Sequence, residues 1–197
     1  MRIQIDGIVH NQEFSTLAQL EEFWKSIVSK LHSSSKYIRT VSIDGTTYIY
    51  DYERSIVQQF ETIKQIDIVS LTEEELLQES LSELKEYCKK VQTACDSIGS
   101  LFYSEMSEKA WEYFSKLVEA IQWVNQSISG VMQILERTQS ESALLEALKE
   151  TLTALEQCIR QLDAALSSKE FIAAGDIIRY ELGDIITALD QKLPLGE

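Results

Sequence analysis

The sequence predicts an α+β protein: a small α+β unit over residues 1–70, then an acidic, mainly antiparallel four-helix bundle over residues 71–197. Three observations predict it. Two Asp-Gly pairs lie between alternating apolar runs in the first third, the pattern of tight hairpins. Apolar residues recur at steps of three and four through the rest of the chain. A single proline, Pro194, and seven glycines leave few breaks, which favours long helices over a many-stranded sandwich.

In the first unit, residues 3–10 alternate around Asp6-Gly7 and residues 41–49 around Asp44-Gly45. Between them, Thr16 to Leu31 carries Leu17, Leu20, Phe23, Trp24, Ile27, Val28 and Leu31, the broad stripe of a helix packed on a sheet. A short helical piece, Ser55 to Ile63, leads into a last strand in the run QIDIVSL. The order hairpin, helix, hairpin, short helix, strand resembles the β-grasp, or ubiquitin-like, fold. The resemblance is one of architecture and covers the first third of the chain. Conjugated ubiquitin-like proteins end in a free diglycine, whereas Ser70 and Leu71 here run straight into a capped helix, which speaks against covalent tagging. Merging the first hairpin into one strand gives the rival reading, a split βαβ, ferredoxin-like unit.

The second unit opens with Thr72 and Glu75 in the spacing of a capping box, with Leu71 and Leu76 at the positions of a hydrophobic staple. The helix that follows has its seam at Leu77, Leu81, Leu84, Cys88, Val91, Cys95 and Ile98. The next repeats the step through Ala110, Phe114, Leu117, Ile121, Val124, Ile128, Val131 and Leu135. Between them Gly99 and Ser100 form either a loop or a kink; a kink would leave three long helices in place of four. Thr138 and Glu141 predict a further capping box, before a helix with its seam at Leu145, Leu148, Leu152, Leu155, Ile159, Leu162 and Leu166. Ser167 and Glu170 predict another, before a last helix ending near Leu193, ahead of Pro194 and Gly196. Short connections between such helices favour an up-down bundle with crossing angles near about 20°.

The last helix contains Gly-Asp-Ile-Ile twice, at residues 175–178 and 183–186. In a regular α-helix an offset of eight turns the second copy by about 80° from the first, so the two would not share a face. The expected seam, Phe171, Gly175, Ile178, Leu182, Ile185 and Leu189, includes Gly175 and leaves Gly183 off it.

Charge narrows the partners. The formal net charge is −14, and residues 71–197 carry 23 acidic against 11 basic side chains. Such a surface repels nucleic-acid phosphates and anionic membranes. The start MRIQIDG lacks the apolar core of a signal peptide, and no apolar run is long enough to span a bilayer, so a cytoplasmic protein is expected. Cys88, Cys95 and Cys158 form no CxxC pair and read as small apolar residues in a reducing compartment.

No catalytic signature is present. His10 and His32 are the only histidines, neither has a recognisable triad partner, and the common phosphate, dinucleotide, zinc-protease and hydrolase motifs are absent. The bundle contains no histidine for the Glu-x-x-His step of a di-iron site. Asp176, Glu181 and Asp184 are the candidates for a carboxylate cation site, weighed against an ordinary solvated acidic face. No cofactor, metal or catalytic residue is expected.

Aromatic residues are the candidates for partner binding. Trp111 lies beside the seam of its helix with Val118 and Met132, and Tyr113, Ala120 and Ile134 line the other flank. Trp123 lies about 140° from the seam, as an interface anchor or as a residue covered by the first unit. Tyr48, Tyr50 and Tyr52 alternate and would share one face of the second hairpin, for packing, protein contact or base stacking. The leading reading is a non-enzymatic protein–protein interaction module, an adaptor or chaperone-like protein. In size and charge the bundle resembles chaperones and adaptors of bacterial secretion and flagellar assembly. The alternative is a small-molecule- or metal-binding bundle, enzymatic or not, and a homodimer paired through the bundle is compatible with the leading reading.

Overall fold

Each Asp-Gly pair turns its hairpin through the left-handed region, with φ of +47° and +84° at Asp6 and Gly7 and +46° and +88° at Asp44 and Gly45. Two successive positive φ values make a turn whose twist matches the paired strands. Strand β1 (Arg2–Ile5) thereby pairs antiparallel with β2 (Ile8–Asn11), and β3 (Lys36–Ile43) with β4 (Thr46–Tyr48). This computed structural model describes residues 1–138 and 143–194. The chain divides into two units, Met1–Leu76 and Leu77–Glu197.

In the first unit both turn aspartates also hold the central strand β5 (Gln65–Thr72). Asp6 accepts from the Ser70 amide at 2.8 Å and the Ser70 hydroxyl at 2.6 Å, and Asp44 accepts from the Gln65 amide at 2.8 Å. Burial alone would raise the Asp6 pKa, but the bonds from Ser70 and from Lys36 outweigh it and hold the carboxyl below its usual range. The strand order is β2-β1-β5-β3-β4, with β1 and β5 parallel and the other pairs antiparallel. Helix α1 (Leu17–Ser33), capped by Thr16, lays Leu20, Ile27 and Leu31 into the core formed by Ile3, Val41, Ile43, Ile66 and Ile68. This mixed five-stranded sheet is compatible with a β-grasp-like unit. The split βαβ alternative fails because Asp6-Gly7 reverses the chain instead of letting the first run continue as one strand. Helix α2 (Tyr52–Gln59) begins three residues before the expected Ser55, because Asp51 at φ +57° has already left the strand conformation.

The second unit follows from the capping box expected at Thr72. Glu75 accepts from the Thr72 amide at 2.8 Å, and the Glu75 amide donates back to the Thr72 hydroxyl at 3.2 Å. Helix α3 (Glu73–Leu101) buries Leu81, Leu84, Cys88, Val91, Cys95 and Ile98 of the expected seam and leaves Leu77 half-buried. It also runs on through Gly99 and Ser100, so the break that leaves four helices comes after Leu101. The chain turns at residues 102–107, burying Phe102, and helix α4 (Glu108–Arg137) starts under a Ser107 cap. Thr138 closes α4 by donating its hydroxyl to the Leu135 carbonyl at 2.9 Å. Its expected box partner, Glu141, lies outside the described residues, as does Gly196.

Helix α5 (Ala143–Ser167) differs from expectation on one side. Its core face carries Leu145, Leu148, Thr151, Leu155, Cys158, Leu162 and Ala165, whereas Leu152 and Leu166 are half-buried and Ile159 is 43% exposed. The small residues Thr151, Cys158 and Ala165 recur every seven positions, so the core face sits between two apolar lines. The expected Ser167–Glu170 capping box does not form. Instead α5 ends in a left-handed turn at Lys169 (φ +59°), with the Lys169 amide bonded to the Leu166 carbonyl and the Glu170 amide to the Ala165 carbonyl.

The last rod is helix α6 (Phe171–Asp176), a π-helical turn (Ile177–Leu182) and helix α7 (Gly183–Lys192). A π turn holds one residue more than an α turn, so an offset of eight across it behaves like seven, about 20° of rotation instead of about 80°. Both Gly-Asp-Ile-Ile copies consequently share a face: in each, the glycine and last isoleucine are buried, the aspartate is exposed and the first isoleucine is half-buried. The expected seam shifts with it, since Phe171 is exposed, Ile185 half-buried, and Ala174, Gly183 and Ile186 are buried in their place.

Four rods close the bundle. Helix α5 packs on α4 and on the last rod, and α3 meets the last rod where Gly99 faces Gly175. Further along, the Gln92 side-chain amide donates to the Thr187 hydroxyl at 2.7 Å. Lys85 donates to the Asp190 and Leu193 carbonyls at 2.6 and 2.8 Å, satisfying the open C-terminal end of α7.

Candidate functional site

An apolar groove of about 150 Å³ lies between helices α4 and α5 on the surface of the bundle. Phe114, Leu117 and Ile121 from α4 and Cys158 and Leu162 from α5 line it. Its banks are Val118 on one side and Ile159 on the other, 38% and 43% exposed, with Gln122 and Asn125 closing the far end in neutral polar groups. That volume equals an engineered protein cavity large enough to bind benzene, so it accepts one large apolar side chain.

At the near end the groove meets an aromatic cluster through Phe114. Trp111 stands one heptad before Val118 on the same line of α4, packed edge-on against Phe114 at 5.9 Å and against Phe171 at 6.0 Å. Trp111 and Phe171 are 39% and 37% exposed, while Phe102 beneath them is buried. The connection at residues 102–107 and the turn at Lys169 bring these rings together. Glu156 and Asp163 lie exposed one helical turn either side of Ile159; Glu156 is paired with Arg160 at 2.9 Å, so these three side chains leave the α5 bank one net negative charge.

The other aromatic candidates do not join this site. Trp123 lies on the α3 side, its ring 4.3 Å from that of Tyr87 and 36% exposed, so the bundle itself covers one of its faces. Tyr48, Tyr50 and Tyr52 form no row. Tyr48 ends β4 and packs on the sheet core, Tyr50 is 81% exposed in a bend, and Tyr52 starts α2 against Trp24 at 5.7 Å. Strand alternation ends with β4, so period-two spacing no longer applies beyond Tyr48.

The acidic candidates also separate. Asp176 accepts from the Tyr103 hydroxyl at 2.6 Å, which raises the Tyr103 pKa, while Glu181 and Asp184 are exposed. Beside them Arg179 binds Asp96 at 2.7 Å and lies over the Tyr180 ring. Among the described residues no group of three or more His, Cys, Asp or Glu side chains is placed to hold a metal ion. All three cysteines are buried and free, and burial pushes Cys88 and Cys95 up to about 12 and Cys158 up to about 11. Among the described residues no helix is long and apolar enough to cross a membrane.

The heptad step places Ile159 and Phe171 on core seams and so misses Ile159 as a bank of the groove and Phe171 as part of the aromatic cluster at its end. The signal was present in α5, whose apolar and small residues fill more positions than one packing seam needs.

Comparison with curated proteins and with solved structures gives no match. Residues 79–192 match a family described as a domain of unknown function, DUF8042. The matched stretch runs from the second turn of α3 to the last residue of α7, so it contains the groove, the aromatic cluster and the π turn. It covers more than half of the chain, which therefore belongs to the DUF8042 family.

Proposed function

We propose that this protein is a non-enzymatic, cytoplasmic protein–protein interaction module of adaptor or chaperone type, and that the α4–α5 groove receives a basic amphipathic helix of a partner. The observation that carries the reading is an apolar groove, open to solvent, on a bundle that carries 23 acidic and 11 basic side chains. From Phe114 to Asn125 it follows three turns of α4, so a docked helix can seat one apolar anchor in it and lay its neighbouring turns along the banks. Trp111 and Phe171 extend the apolar track at one end, and rings of this kind are frequent binding hot spots. Charge decides the partner's polarity: residues 71–197 carry 11 basic against 23 acidic side chains, and Glu156 and Asp163 flank the Ile159 bank.

A photo-crosslinking residue at position 118, exposed to the lysate of the native cell, tests the reading. The expected result is a crosslinked protein whose bound segment is a basic amphipathic helix, lost when Ile159→Ser is added. Crosslinks that persist unchanged in the Ile159→Ser protein would overturn the groove as the site.

A further inference from the structure

The outward face of α4 (Glu108–Arg137) has a long stretch without charge. From Ala120 to Leu135 it carries no ionisable residue. Its exposed positions in that stretch are Gln122, Trp123, Asn125, Gln126, Gly130 and Gln133. Four of these, Trp123, Gln126, Gly130 and Gln133, follow the three-four step of a packing seam, and among the described residues of the second unit Tyr87 packs on the Trp123 end of it. Gly130 is the second oddity. A methyl group built there meets no atom within 4 Å, so the chain itself gives no steric reason for glycine, which costs about 1 kcal/mol relative to alanine inside a helix. Gly99 and Gly175, by contrast, are forced by a backbone lying against them.

We propose that this face pairs with the same face of a second copy of the chain, the two α4 helices antiparallel about a two-fold axis near Ile128. Reversing the stripe on itself places Gln126 opposite the partner copy's bare Gly130 and Trp123 opposite Gln133. Glu119 and Arg137, which bound the uncharged stretch at equal distances from residue 128, then face each other across the axis. That pattern is self-complementary, as an isologous interface requires. Charge selects the same occupant. Two chains each carrying −14 repel over most of their surface, and an uncharged face bordered by one acid and one base is where they meet at least cost. A basic partner would instead gain most on the acidic faces. The stripe lies about 110° around α4 from the groove, so the two surfaces are separable.

Sedimentation velocity of the full chain between 1 and 200 µM tests the pairing. The expected result is a monomer–dimer equilibrium that tightens as salt rises from 20 to 300 mM, because salt screens the repulsion between acidic copies. Gly130→Glu should give a monomer with undiminished melting temperature. Glu119→Arg or Arg137→Glu alone should weaken the dimer about tenfold, and the double variant should return it to within about threefold of wild type. A wild-type monomer at 200 µM, a dimer indifferent to Gly130→Glu, or charge reversals that do not compensate would overturn the proposal. Groove variants such as Ile159→Ser should leave the dimer intact, so this test and that of the groove fail independently.

Discussion

Gly99 of α3 and Gly175 of α6 face each other so closely that a methyl group on Gly175 would stand 2.9 Å from the Gly99 carbonyl oxygen and 3.0 Å from the Phe102 Cβ. Neither neighbour is the free end of a flexible side chain, so a larger residue must push the helices apart. Gly175→Ala is expected to destabilise the protein by about 2 kcal/mol despite alanine's better helix propensity. Gly183→Ala should be neutral or stabilising by up to about 1 kcal/mol, since its nearest atoms lie at 3.9 and 4.0 Å. Urea denaturation of the two variants checks the contrast, and equal effects would mean that the crossing does not depend on Gly175.

The closure of the bundle at its other end depends on Lys85. Its ammonium holds two carbonyls of the last helix end and lies 3.9 Å from the Asp190 Oδ1, a buried oxygen that accepts no hydrogen bond among the described residues. Lys85→Met keeps the aliphatic stem and removes the donors. A loss of about 2 kcal/mol is expected from the groups left unpaired. Faster amide exchange confined to the last turn of α7 would accompany it, whereas wild-type exchange there would contradict the capping role.

The turn at Asp6 predicts acid sensitivity in the sheet unit. Its folded pKa is lowered, so it contributes stability that is present above the unfolded pKa and lost as pH falls through the folded one. Glu75, lowered chiefly by its hydrogen bond from the Thr72 amide, acts in the same direction. Asp6→Asn keeps a residue that tolerates the left-handed turn but removes the charge. It should cost about 1 kcal/mol at pH 7, after screening at this exposed site, and the difference from wild type should shrink as pH falls below about 4. A pH-independent difference would point to turn geometry instead of charge.

Much of this was legible in the sequence. Asp6-Gly7 and Asp44-Gly45 identified both hairpins because consecutive left-handed residues restrict the choice of side chain so strongly. The α3 seam was readable residue by residue because one continuous stripe meets one core. What failed did so where a fixed period was assumed. In the last rod, Ala174, Ile178, Leu182 and Ile186 step by four three times in a row, a drift that a regular α-helix cannot keep on one face and that the π turn absorbs. Along TTYIYDY the strand ended at Tyr48, before the alternation could carry on to Tyr50 and Tyr52. The groove was not legible because it depends on which of two apolar lines of α5 turns inward, and tertiary packing decides that.

Thiol chemistry tests the packing of α3 and α5 directly. With Cys88 and Cys95 raised to about 12 and Cys158 to about 11, and all three buried, almost no thiolate is available at pH 8. A disulfide reagent should modify no cysteine of the folded protein within minutes and all three in denaturant. Rapid native modification of Cys158, which lines the groove floor, would show that α5 opens from α4.

The groove itself is tested most directly by titrating a fluorescent 14-residue Leu/Lys amphipathic helical peptide, the simplest basic helix, against wild type and against the uncharged groove variants Val118→Ser and Ile159→Ser. Binding to wild type that weakens with salt and falls at least tenfold in both variants is the predicted result, since each removes an apolar bank without altering charge. Equal binding to all three proteins would reduce the interaction to nonspecific charge attraction and contradict the groove as the partner site.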